Sequence, residues 1–262
     1  MESFYRGSES REKEHARVMD AFLDVGTTAD AHIWSVLDKR EDNYTKFHRL
    51  RFFDQLRALT AIRTKVFGQL PAINVLDVGV MAVSTMYGEA VPGVNLHTCD
   101  HPRRVNNNAS HGFADFYPID LETEDLGAKH PELRGKFHVI LFCEVLEHLK
   151  MGPKEIMRDF KRLLAPGGMI YLTTPNAMAY TTFLAYFEGR SPVTRFSRQN
   201  RQAHLENIVH VREYTVRELA AEVETAGLTI KHRAIKEFFH PDVLWASAFI
   251  SGRSLITVTC GE

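Results

Sequence analysis

A change of rhythm at residue 73 constrains this chain more than any other feature. From there, short apolar runs rich in β-branched residues alternate with helical stretches: INVLDVG (73–79), GVNLHTCD (93–100), FHVILFCE (137–144) and GMIYLTT (168–174). Between the last two lies KEIMRDFKRLLAPGG, where Ile156, Met157, Phe160, Leu163 and Leu164 mark one helix face and Pro166-Gly167-Gly168 predicts its end. Strand–helix–strand alternation requires a parallel sheet covered by helices on both faces. Farther on, Thr215-Val216-Arg217-Glu218 is a capping-box pattern that opens a helix predicted to end at Gly227. LTIKHRAI (228–235) and SLITVTC (254–260) read as two closing strands. Residues 1 to about 70 read as a helical cap. Val18, Met19, Phe22 and Leu23 repeat at helix spacing, and Leu50, Phe53, Leu56, Leu59, Ile62 and Val66 form one stripe that Gly68 and Pro71 stop. The expected architecture is an open, doubly wound α/β sheet over residues 71–262 behind a helical cap over residues 1–70.

Composition narrows the function. A chain of 262 residues with 44% hydrophobic and 25% charged residues can bury a sizeable core. Lys+Arg 32 against Asp+Glu 33 gives a net charge of -1, which argues against a strongly basic nucleic-acid binder. No apolar run approaches the ~18 residues of a membrane span, and the polar opening MESFYRGSESREKEHARVMD is unlike a signal peptide. Cys99, Cys143 and Cys260 fit neither a disulfide framework nor a paired-cysteine zinc site, so a reducing cytoplasm is the expected compartment.

In open α/β sheets, ligands bind at the carboxyl ends of the strands near the switch in strand order. The first strand ends in Leu76-Asp77-Val78-Gly79, and Asp100 follows 21 residues after Gly79. A glycine turn with an acidic residue about 20 positions on is an arrangement that holds a ribose through its hydroxyls. The ordered set VLDVG, Asp100, Asp120, FHVILFCEVLEHL and LLAPGGMIYLTTPN resembles the class I S-adenosylmethionine-dependent methyltransferases, over roughly residues 70 to 260. That resemblance implies a Rossmann-like, seven-stranded, mostly parallel sheet with its last strand antiparallel. It also implies Asp77 and Gly79 beside the methionine part of the cofactor, Asp100 on the ribose, and Asp120 with Leu121 beside the adenine. One departure stands out: where the family usually has a second glycine, two positions after Gly79, this chain has Met81. A similar glycine-poor first loop occurs in bacterial methyltransferases of cell-surface sugar and secondary metabolism.

Cys143-Glu144-Val145-Leu146-Glu147-His148-Leu149 lies where the fourth strand gives way to a helix. Glu144, Glu147 and His148 stand at i, i+3 and i+4, so a helical start would put all three on one face. Much later comes His210-Val211-Arg212-Glu213-Tyr214-Thr215. Two carboxylates and two imidazoles can form an oxygen/nitrogen site for Mg, Mn, Fe or Zn. Equally, Glu144 and His148 can serve as helix-start contacts or His148 as a general base, with His210 an ordinary loop histidine. The pair of motifs resembles two metal-dependent groups, the small-RNA 3′-terminal ribose 2′-O-methyltransferases and the ubiquinone-biosynthesis O-methyltransferases. On that resemblance Glu144, Glu147, His148 and His210 fall on metal-ligand positions. A bound ion with two open positions would take a vicinal diol or catechol and acidify the hydroxyl to be methylated, with His148 or His204 accepting the proton.

Between Asn176 and His210 lies an insertion that is expected to cover the acceptor. It carries Arg190, Arg195, Arg198 and Arg201, suited to phosphate or carboxylate, and aromatic residues including Tyr180 suited to a planar group. The segment also fits a solvated basic loop. The near-neutral chain favours a small, anionic or sugar-bearing metabolite over RNA. The expected activity is metal-assisted O-methylation by S-adenosylmethionine. The alternatives are a metal-free O/N-methyltransferase with His148 as general base, an RNA 3′-end methyltransferase, and a non-catalytic methyltransferase-like subunit.

Overall fold

β1 (Ile73–Val78) is nearly continuous in apolar residues because both of its faces are covered. It sits inside a seven-stranded sheet of order β3-β2-β1-β4-β5-β7-β6. The computed structural model describes residues 21–81, 83–104, 113–190, 210–237 and 254–261. The other strands are β2 (Val94–Asp100), β3 (Asp115–Pro118), β4 (Phe137–Cys143), β5 (Leu164–Pro175), β6 (Thr229–Glu237) and β7 (Ser254–Gly261). β2 with β3, β1 with β4, and β4 with β5 pair in parallel. β7 is antiparallel to both β5 and β6, so the expected seven-stranded sheet with an antiparallel last strand is present.

By packing, the chain divides into two units: the residues up to Ile73 with Met81–Asn95, and Asn74–Val80 with Leu96 onward. The first unit holds α1 (Thr27–Asp38), α2 (Asn43–Phe47), α3 (Arg49–Ala61), a π-helical turn at Ile62–Val66, and α4 (Ser84–Ala90). Its buried stripe on α3 is Phe52, Leu56 and Leu59. The predicted stripe is therefore rotated: Leu50 is exposed, and Phe53 stacks on Trp34 with ring centroids 4.3 Å apart. Phe52, Leu56 and Leu59 keep the i, i+4, i+7 spacing that one helix face demands.

The second unit carries α5 (Leu126–Lys129), α6 (Pro153–Leu163), α7 (Tyr180–Phe187) and α8 (Val216–Thr225). α6 starts with Pro153 in its first turn, where a missing N–H costs nothing, and buries Ile156, Met157, Phe160 and Leu163. The helix stops earlier than the Pro-Gly-Gly signal predicts, because Leu164 already pairs with Phe137 of β4. The register then jumps to Val139 opposite Met169, and Ala165–Gly168 bulge out of the ladder. α8 has the predicted capping box, with both the Thr215 and the Glu218 side chains bonded back to the backbone. Gly227, at φ 82°, ends it as expected. Cys99, Cys143 and Cys260 form no disulfide and are buried, and burial pushes the Cys260 thiol up to about 12. Among the described residues no helix is long and apolar enough to cross a membrane.

Candidate active site at the carboxyl edge of the sheet

Beyond the strand ends, single backbone bonds continue the sheet and hold the loops in place. Gly79 N–H donates to the Cys99 carbonyl at 2.9 Å, Ile119 N–H to Asp100 at 3.0 Å, and Glu144 N–H to Thr173 at 2.9 Å. Gly79 has φ 81°, and a Cβ there would come within 2.6 Å of Val145 Cγ2. The β1 turn and the turn after β4 are thus in contact, at the switch in strand order where ligands bind. Asp77 is buried in β1. Asp100 ends β2, and its Oδ1 accepts the His101 N–H at 2.7 Å. Asp120 follows β3, with Oδ1 accepting the Glu122 N–H at 3.0 Å and Oδ2 lying 3.6 Å from His101 Nε2. Burial pushes the Asp120 carboxyl up. Thr123, the Glu122 N–H, His101 and Arg103 outweigh it and hold the group below its ordinary value. The neighbouring Leu121 packs on the core.

The turn after β4 differs from the helical start that the spacing predicts. Glu144 takes φ 56°, an uncommon conformation for a side-chain-bearing residue, and a 3₁₀ turn at Leu146–His148 follows. Glu144 is therefore not on a shared helix face with Glu147 and His148. Its carboxylate accepts the Thr173 hydroxyl at 2.9 Å. A residue in this conformation persists where the surrounding structure over-determines the backbone, and such residues cluster at active sites.

Glu147 is buried, and its two carboxylate oxygens are used differently. Oε2 accepts the Thr174 hydroxyl at 3.1 Å. Oε1 lies 3.8 Å from His148 Nε2 and 3.9 Å from His210 Nε2, separations too long for hydrogen bonds. The two imidazoles meet edge to face with centroids 5.0 Å apart. One ligand atom from each of Glu147, His148 and His210 lies within 4.8 Å of the others. Two imidazole nitrogens and one carboxylate oxygen are a donor set that suits Zn, Fe or Mn and leaves coordination positions open. His210 arrives because its segment is tied down: the Val211 and Arg212 N–H groups donate to the Glu147 carbonyl at 2.7 and 3.2 Å. A parallel bridge between Asn176 and Tyr214 fixes the following residues.

Of the four metal candidates, three converge; Glu144 is outside that group. Arg190 is exposed and ion-paired with Glu188, so its charge is shared within the loop. Tyr180 opens α7. Arg195, Arg198, Arg201 and His204 lie outside the described residues. Sequence reasoning missed the roles of Thr173, Thr174 and Glu213. The first two are the threonines closing GMIYLTT, one strand over from the Glu144 turn. Glu213 stands three residues after His210, and its Oε1 is 3.0 Å from His210 Nδ1.

A family model described as a methyltransferase domain matches residues 22–233. A ubiquinone biosynthesis O-methyltransferase of Xanthomonas oryzae pv. oryzae is 30% identical over 125 residues, 46% of this chain and 52% of that protein. One of the same description from Chromobacterium violaceum is 31% identical over 120 residues, 43% and 48% of the two chains. The chain spans about half the length of the curated relatives it matches. Among solved structures, an S-adenosylmethionine-dependent methyltransferase from Mesorhizobium loti has a TM-score of 0.51 at 14% identity, covering 77% of this chain and 97% of that one. That likeness is one of fold. With the family model spanning strands β1 to β5 and the Glu147–His210 cluster, the chain belongs to the methyltransferase-domain family.

Proposed function

We propose that this chain transfers a methyl group from S-adenosylmethionine to a hydroxyl oxygen of a small diol- or catechol-bearing metabolite, with Glu147, His148 and His210 holding a divalent ion. The observation behind this reading is the convergence of three ligand atoms from two distant segments, at the sheet edge where Gly79 meets Val145. The name of the curated relatives, ubiquinone biosynthesis O-methyltransferase, supports an oxygen acceptor. When bound, a divalent ion lowers the pKa of a hydroxyl that it coordinates.

The chain's own residues supply the rest. In this reading Asp100 takes the ribose hydroxyls, Asp120 and Leu121 flank the adenine, and Asp77 and Gly79 lie beside the methionine portion. Gly79 matters there because a side chain at φ 81° would block close backbone approach. Glu144, oriented by Thr173, is the proposed proton acceptor, since a bound ion would engage His148. The acceptor oxygen loses its proton and attacks the sulfonium methyl carbon. The carbon–sulfur bond breaks, and S-adenosylhomocysteine leaves. Holding both partners in line supplies much of the rate. Arg190, Arg195, Arg198 and Arg201, with Tyr180, are assigned to an anionic acceptor, and buried thiols outside any disulfide suit a cytoplasmic setting.

Transfer of labelled methyl from S-adenosylmethionine to a panel of catechols and vicinal diols tests this reading. Turnover is expected to stop in excess chelator and to return with Mg, Mn, Fe or Zn. Full turnover in chelator would replace the reading with a metal-free one using His148 as base. Failure of S-adenosylmethionine to bind by calorimetry would leave a non-catalytic subunit.

A further inference from the structure

Resting on the metal-holding reading above, we infer that Glu213 is a positioning residue that fixes the orientation and tautomer of His210. Its Oε1 lies 3.0 Å from His210 Nδ1. A carboxylate can only accept, so this bond places the imidazole proton on Nδ1. Nε2 then carries the lone pair, and Nε2 is the atom 3.9 Å from Glu147 Oε1. An imidazole binds a metal through its unprotonated nitrogen, and the bond made by the other nitrogen decides which one that is.

Glu213 is itself held, so it can impose geometry on the ring. On its N-terminal side, Val211 and Arg212 donate to the Glu147 carbonyl. On its C-terminal side, Tyr214 is buried and pairs with Asn176, and its carbonyl accepts the Ala177 N–H at 2.9 Å. Arg212 lies over the Tyr214 ring at 4.9 Å and donates to Glu218 at 3.2 Å, which directs its charge to the capping box of α8. The two residues on either side of Glu213 therefore tie one backbone stretch to both the Glu147 turn and the end of β5. The sequence His-x-x-Glu does two jobs within four residues: the histidine faces the Glu147 carboxylate, and the glutamate faces the back of the histidine.

The test uses the full chain, ¹⁵N-labelled and stripped of metal, with His210 assigned by comparison with His210→Ala. Long-range ¹H–¹⁵N spectra at a pH where the ring is neutral are expected to show an Nδ1–H tautomer. Glu213→Gln keeps an acceptor oxygen and is expected to preserve it, whereas Glu213→Ala is expected to give a mixture. In a titration with Zn²⁺, Glu213→Ala is expected to weaken affinity about 10- to 100-fold, the range seen when a ligand's supporting partner is removed. Glu213→Gln should retain most of the affinity, and S-adenosylmethionine affinity should be unmoved in both. An Nε2–H tautomer in the unsubstituted chain, or Zn²⁺ bound equally well by Glu213→Ala, would overturn the inference. If the unsubstituted chain binds no Zn²⁺ but the tautomer responds to Glu213→Ala as expected, the metal-holding reading falls and the orienting role stands.

Discussion

Replacing Gly79 by alanine tests how the β1 turn and the Glu144 turn are fitted together. Two separate costs follow from the structure. At φ 81° a Cβ is strained, worth about 1–2 kcal/mol for an L-residue in the left-handed region. The same Cβ would sit 2.6 Å from Val145 Cγ2, and overpacking of this kind costs about 1–3 kcal/mol more. Gly79→Ala should therefore lose about 2–5 kcal/mol of stability in urea denaturation at unchanged slope. The obstructing atom belongs to a side chain, so Val145→Ala should remove the second cost and leave the first. In a double-mutant cycle, adding Gly79→Ala to Val145→Ala should cost only about 1–2 kcal/mol, giving a coupling of roughly 1–3 kcal/mol. Additive effects would show that the two turns do not touch as described. A neutral Gly79→Ala would refute the left-handed turn itself.

Three further outcomes are expected. Asp100→Ala should weaken S-adenosylmethionine binding at least about tenfold by calorimetry, the scale of hydrogen bonds to a charged group, and unchanged affinity would remove Asp100 from the ribose. Thr174→Val deprives the buried Glu147 carboxylate of the hydroxyl at 3.1 Å and should cost about 1–3 kcal/mol in denaturant, while Thr174→Ser should not. Burial first, then the charge of Arg51, lowers the His48 pKa from 6.5 to about 4. Between those values the unfolded chain binds the proton more readily, so stability should fall as pH drops from 6.5 towards 4. The loss is at most about 3 kcal/mol and is reduced by solvent screening. His48→Phe should flatten that part of the pH–stability curve, and an unchanged curve would count against the half-buried neutral imidazole.

Much of the sheet was legible because its strands announce themselves twice, by composition and by punctuation. INVLDVG, FHVILFCE and GMIYLTT are short, apolar and bounded by polar or glycine residues, and each falls on an observed strand. The Thr215 cap was equally readable, since a capping box is local chemistry needing no distant partner. What failed did so where neighbours decide. Leu164 looked helical by periodicity, but pairing with Phe137 drew it into β5. The α3 stripe was rotated because both Phe52 and Phe53 are apolar and the sequence alone does not say which one faces inward. At the site, Glu147, His148 and His210 were legible as residue types. The separation of Glu144 from them was not, because i, i+3, i+4 spacing assumes helical dihedrals and Glu144 adopts φ 56°. The threonines under the two glutamates were hidden for a similar reason: they come from another strand, and only register brings them there.

The most direct measurement is anomalous diffraction at the manganese edge, from crystals of the full chain grown with Mn²⁺ and S-adenosylhomocysteine. One strong peak within about 2.0–2.4 Å of a Glu147 carboxylate oxygen, His148 and His210 Nε2, with S-adenosylhomocysteine along the ends of β1 and β2, is the predicted result. Absence of any peak there, while S-adenosylhomocysteine fills its place, would contradict the metal-assisted account.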